Sequence, residues 1–208
     1  MVALTITLYC RCRACRFIEI PSLHQACIFR TPAVYMAIGG QKGSYRDDRK
    51  WPVDLHFWLS FYHAGLKIGK LPRTLFYWRQ RPGQQTRRHG RLSVSNMRKC
   101  KCEFLCMDGG PIWPEVSSES VTIEIWSTGQ TLDGWVDDLS FELKCQGKEA
   151  VVVPVRWRPG QARPLAVEGG GVHQRRVRLF AFGMEKVRRQ VREIFASDWN
   201  DVDCIFVA

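Results

Sequence analysis

The stretch "VTIEIWSTGQTLDGWVDDL", residues 121–139, decides the fold. Its first half is β-branched and aromatic and runs into Ser-Thr-Gly, the composition of a strand that ends in a turn, and residues 130–139 then read as a helix. Downstream, "AVVVPVRW" (150–157) is a second strand, "RRVRLFAFG" (175–183) a third, residues 184–196 a strongly patterned helix and "VDCIFVA" (202–208) a last strand. Strands alternating with helices predict a small, mostly parallel α/β domain.

Upstream, Gly109-Gly110-Pro111 and Ser117-Ser118 interrupt the pattern and predict a division of the chain into residues 1–115 and 116–208. Before that division the reading is mixed. Residues 93–107 suit a helix, 66–68 and 74–78 suit strands separated by a turn at 69–72, and 32–38 suit a short helix closed by Gly39-Gly40. Residues 17–29 read as strand and loop, and 41–51 as a polar loop. From Leu55 the apolar residues Trp58, Leu59, Phe61 and Tyr62 follow at helical spacing as far as Gly65, with Pro52 and Asp54 at the opening of that helix.

Composition limits the function classes. The chain has 208 residues, 45% hydrophobic and 12% aromatic, enough for one large or two small cores. No run of 18 apolar residues occurs, and the N-terminal apolar stretch is short, with its positive charges after it rather than before it, so neither a membrane span nor a signal peptide is expected. Nine cysteines at irregular spacing do not resemble a disulfide framework and suit a reducing, cytoplasmic compartment. Cys10, Cys12 and Cys15, and Cys100, Cys102 and Cys106, each bring three thiols together, but a structural zinc ion needs four ligands; scattered free thiols are the expectation, with a zinc ion shared between the clusters as the alternative.

The net charge is +11, and residues 79–101 carry eight Lys or Arg with no Asp or Glu. Such a block suits a polyanion, either RNA or the diphosphate of a nucleotide, and equally a solvated basic loop. Arg87, Arg88, Arg91, Arg98, Lys99 and Lys101 are its candidate nucleic-acid contacts.

The segments "HQACIFRTPAVYMAIGG" (24–40) and "WPVDLHFWLSFYHAGLKIGKLPRTLFYWRQRPGQQT" (51–86) resemble, in order and spacing, the acceptor half of family 2 glycosyltransferases of the GT-A type, with its P-E-D-L-x-F helix start and its L-x-Y-R-x-H-P-G-x-x-T run. "IWSTGQTLDGWVDDL" is similar to the strand and turn of a Rossmann-like α/β domain appended in one cytosolic subgroup, which includes the queuosine-tRNA galactosyltransferase and was earlier grouped as N-acetylglucosaminyltransferase-like. The resemblance implies an incomplete GT-A acceptor subdomain followed by that small domain. It implies a nucleotide-sugar donor, a cytosolic acceptor such as a modified tRNA, and inverting displacement with Asp54 as general base, because Asp54 falls on the second acidic position of the helix-start motif. Arg79 and Arg81 would lie near the leaving diphosphate, and His24 and Trp51 would complete the substrate side.

The departures are specific. Val53 stands at the motif's first acidic position and Arg81 at its histidine, which removes a group able to accept a proton. The nucleotide half, with its strand-borne D-x-D, has no counterpart; Asp201-Val202-Asp203 precedes the last strand and reads as a turn, and Asp47-Asp48 lies in a basic loop. A divalent Mg or Mn ion is therefore expected only with that other half, supplied by a longer gene product or a partner chain, and none on this chain. The competing reading of Asp54 is a helix N-cap, and the competing reading of the whole is a non-catalytic basic binding module. At the 127–132 turn, Ser127, Gly129 and Leu132 stand where a dinucleotide fingerprint wants glycines, so a structural strand-turn-helix is the expectation there.

Overall fold

The computed structural model describes residues 2–3, 17–19, 51–64, 77–78, 90–114, 120–158, 160–162, 175–196 and 203–207. The chain divides into two compact units, one formed by Met1–Cys10 and Pro21–Phe104 and the other by Arg11–Ile20 and Leu105–Ala208.

In the first unit β1 (Val2–Ala3) pairs antiparallel with β3 (Tyr77–Trp78). Helix α1 (Val53–His63) forms where Pro52 supplies the first acceptor, its carbonyl taking the His56 N–H at 3.0 Å. Leu55, Phe57, Trp58, Leu59 and Phe61 are all buried, so apolar residues cover much of the circumference of α1. Phe57 meets Trp58 edge-on at 5.0 Å between ring centroids, and His56 meets Phe104 at 5.4 Å. Helix α2 (Val94–Cys106) follows a 3-10 turn at Gly90–Leu92 and is capped by Ser93, whose hydroxyl accepts the Asn96 N–H at 3.2 Å. Val94 at its start is exposed and residues 95–98 are half-buried, whereas Cys100, Lys101, Cys102, Phe104, Leu105 and Cys106 are buried.

The second unit is α/β, as the sequence pattern predicts. Five parallel strands stand in the order β2 (Phe17–Glu19), β7 (Asp203–Phe206), β6 (Arg175–Phe180), β4 (Val121–Ser127), β5 (Ala150–Arg156). The first of these comes from the N-terminal region and adds to the edge formed by the C-terminal strand. Helix α3 (Gln130–Cys145) connects β4 to β5 and packs on both, and α4 (Glu185–Ile194) connects β6 to β7. All seven residues of β4 are buried, so both faces of this central strand are covered. On one face Trp126, Phe180 and Phe206 cluster with Val187 and Val191 of α4 and with Phe195 just beyond it.

Helix α3 runs six residues past the sequence expectation of 130–139, because Leu143 continues the buried stripe of Leu132, Trp135 and Leu139 and the stop signal comes only at Gly147. There the Lys148 N–H reaches the Leu143 carbonyl at 2.9 Å and the Gly147 N–H the Lys144 carbonyl at 3.3 Å, with Gly147 at φ 64°. That pairing is a Schellman motif, and its left-handed residue suits glycine. Below it, residues 108–113 are clamped to the sheet. Asp108 pairs with Lys148, which also lies 5.5 Å over the Trp113 ring, and Arg175 donates to the Ile112 carbonyl and, through Nε at 3.1 Å, to Asp203. No helix among the described residues is long and apolar enough to cross a membrane.

Candidate functional site

Asp54 is the second residue of α1, one position inside the helix rather than at its cap. Its Oδ1 accepts the N–H of the adjacent Leu55 at 2.9 Å, and that is the one bond it makes to a described residue. A capping carboxylate binds the N–H two or three positions on, which this one does not do. The side chain is half-buried on a helix whose neighbouring positions are core, so a rigid backbone holds a partly accessible carboxylate. Trp51, also half-buried, immediately precedes the helix opening. His24, Arg79 and Arg81, the other substrate-side candidates, lie outside the described residues, as do Arg87 and Arg88.

The described part of the basic stretch is uneven. Lys99 is exposed, Arg91 and Arg98 are half-buried, and Lys101 is only 6% exposed. Lys101 is thus a core position, removed from the contact set read from the sequence: it lies in the second half of α2, where burial reaches round the helix.

Cys100, Cys102 and Cys106 are buried, reduced thiols. Burial pushes the Cys106 thiol far above its ordinary value, the nearby Glu142 carboxylate adds to the rise, and Lys148 opposes it. Among the described residues no group of three His, Cys, Asp or Glu could hold a metal ion. Asp203, from the one D-x-D sequence near the C-terminus, opens β7 and bonds Arg175.

The carboxyl ends of β4 and β6 meet where the connections leave in opposite directions, with β5 on one side and β7 on the other, the place where open α/β sheets accommodate ligands. Ser127 and Leu132 are buried beside that place, and Thr128, Thr131, Gly183 and Met184 are exposed there. The Ser127 hydroxyl is fully buried, 2.6 Å from the Thr131 hydroxyl and 3.4 Å from the Ala181 carbonyl, and Leu132 enters the core at 3% exposure. Gly129, at φ 49°, supplies the turn. The arrangement is a strand, a turn at Gly129 and a helix.

Sequence reasoning missed a buried charge network one step further down the same strands. Glu124 and Arg178, each 2% exposed, are register partners on β4 and β6. Glu124 Oε2 accepts Arg178 Nε at 2.8 Å and Trp126 Nε1 at 3.0 Å, and its Oε1 lies 3.5 Å from Arg176 Nε. The Arg178 guanidinium also stacks over Phe195, 5.2 Å from the ring centre. The available signal was a lone Glu inside "VTIEIWS" and an Arg alternating through "RRVRLF". No family model, curated protein or solved structure matches the chain.

Proposed function

We propose that the first unit is the acceptor-side part of a family 2, GT-A-type glycosyltransferase and the second a small Rossmann-like domain. On this reading the protein transfers a sugar from a nucleotide sugar to a cytosolic acceptor, with a modified tRNA as the acceptor class. The observation that carries the proposal is Asp54: its carboxylate sits in the first turn of a buried helix yet, among the described residues, bonds the adjacent Leu55 N–H and not the N–H groups a cap would take.

In the proposed step the acceptor hydroxyl gives its proton to Asp54 as its oxygen attacks the anomeric carbon. The bond from that carbon to the diphosphate breaks, the electron pair leaves with the nucleoside diphosphate, and the configuration inverts. Arg79 and Arg81 are assigned to the departing negative charge. A Mg or Mn ion would belong to the nucleotide-binding half, where it would neutralise the charge of the sugar diphosphate.

The test pairs this chain, in trans or by fusion, with a nucleotide-binding half and supplies labelled nucleotide sugars with tRNA. Asp54→Asn is expected to lower transfer by about 10²-fold or more, the usual contribution of a positioned base, while nucleotide-sugar affinity holds. Turnover retained in that variant refutes the assignment.

A second reading is favoured by the exposed Lys99 with Arg91 and Arg98 beside it: the same surface holds RNA without chemistry. It requires tRNA affinity that falls steeply with salt and weakens when Arg91 and Lys99 are changed to Gln.

A further inference from the structure

We draw no further inference here: the strongest candidate, the surface at the carboxyl end of the sheet where α3 and α4 begin and where Arg156, Arg158 and Lys186 are exposed, carries nothing, because it rests on two helix N-termini and on surface cations offset by Asp133 and Glu185 in the first turns of those helices, and nothing in the structure shows what would bind there.

Discussion

Replacing Arg178 by Met tests how much of the sheet depends on a charge that no local sequence rule anticipates. The side chains of Arg178 and Glu124 are each 3% exposed, and the Nε–Oε2 distance is 2.8 Å. Met fills most of the space of the aliphatic stem and removes the guanidinium, leaving Glu124 with the Trp126 N–H and with Arg176 at 3.5 Å. Breaking a buried pair by removing one partner costs about 3–5 kcal/mol, chiefly because the remaining charge stays desolvated. Arg176 is a partial substitute whose side chain is 26% exposed, which places the expectation near the lower end, at about 3 kcal/mol. The double variant Glu124→Met with Arg178→Met removes both charges and is expected to lose less than Arg178→Met alone, about 1–2 kcal/mol, because apolar replacement of a buried pair is often neutral and the remaining cost is the Trp126 N–H left without its acceptor. The assay is urea unfolding followed by near-ultraviolet circular dichroism, which reads the packing of Trp126 against Phe195 at 5.0 Å. A single variant within about 0.5 kcal/mol of the parent, the usual range for surface substitutions, would refute the reasoning. So would a double variant whose loss equals the sum of the two single losses, since additivity is the mark of uncoupled sites.

Gly147→Ala is expected to destabilise the second unit by about 1–2 kcal/mol, because φ 64° is strained for any residue with a Cβ even though no atom within 4 Å obstructs one; denaturant melts read it, and an unchanged midpoint contradicts the Schellman assignment. Cys106 makes stability fall at alkaline pH. Its folded value is raised above the ordinary thiol value of about 8.5, so the folded state holds the proton longer and stability declines above that value by up to about 1.4 kcal/mol per pH unit. Urea melts between pH 7 and 10 should show this slope in the parent chain and a shallower one in Cys106→Ala; equal slopes contradict it.

The strands of the second unit are legible because their signals are local. "VTIEIWS", "AVVVPVR" and the end of "RRVRLF" each hold a run of strand-forming residues between turn residues, and β4, β5 and β6 fall on them. Helix α2 was legible for the same reason, its cap Ser93 lying where the pattern begins. What was not legible depends on residues far apart in the chain. The end of α3 lies beyond the expected residue 139 because the burial of Leu143, which carries the helix onward, is decided by the sheet beneath it. The pairing of β2 with β7 joins the two ends of the chain, and nothing in Phe17–Glu19 announces its partner. Lys101 was counted as a surface cation because charge normally means exposure, and only the packing of α2 overrides that rule. At the candidate site the sequence located Asp54 on α1 without separating cap from base; among the described residues its carboxylate bonds the adjacent Leu55 N–H rather than one further along.

The buried pair also bears on how the carboxyl ends of the strands are aligned. Glu124 faces Arg178, and one pleat further on Trp126 faces Phe180, after which the Ala181 N–H bonds the Trp126 carbonyl at 2.9 Å and the Ser127 hydroxyl approaches the Ala181 carbonyl. A slip of one residue between β4 and β6 would send Arg178 to the opposite face, away from Glu124, and would separate Ser127 from Ala181. Apolar residues alone specify this register weakly, because β4 and the end of β6 are buried on both faces and an Ile or Val is nearly interchangeable with its neighbour there. A buried ion pair contributes little net stability, but its misalignment is expensive, so its energetic effect falls on the alternatives to the native register. Glu124 and Arg178 therefore hold the turn that follows β4 opposite the one that follows β6, and the geometry at that end of the sheet follows from a contact made two residues before it.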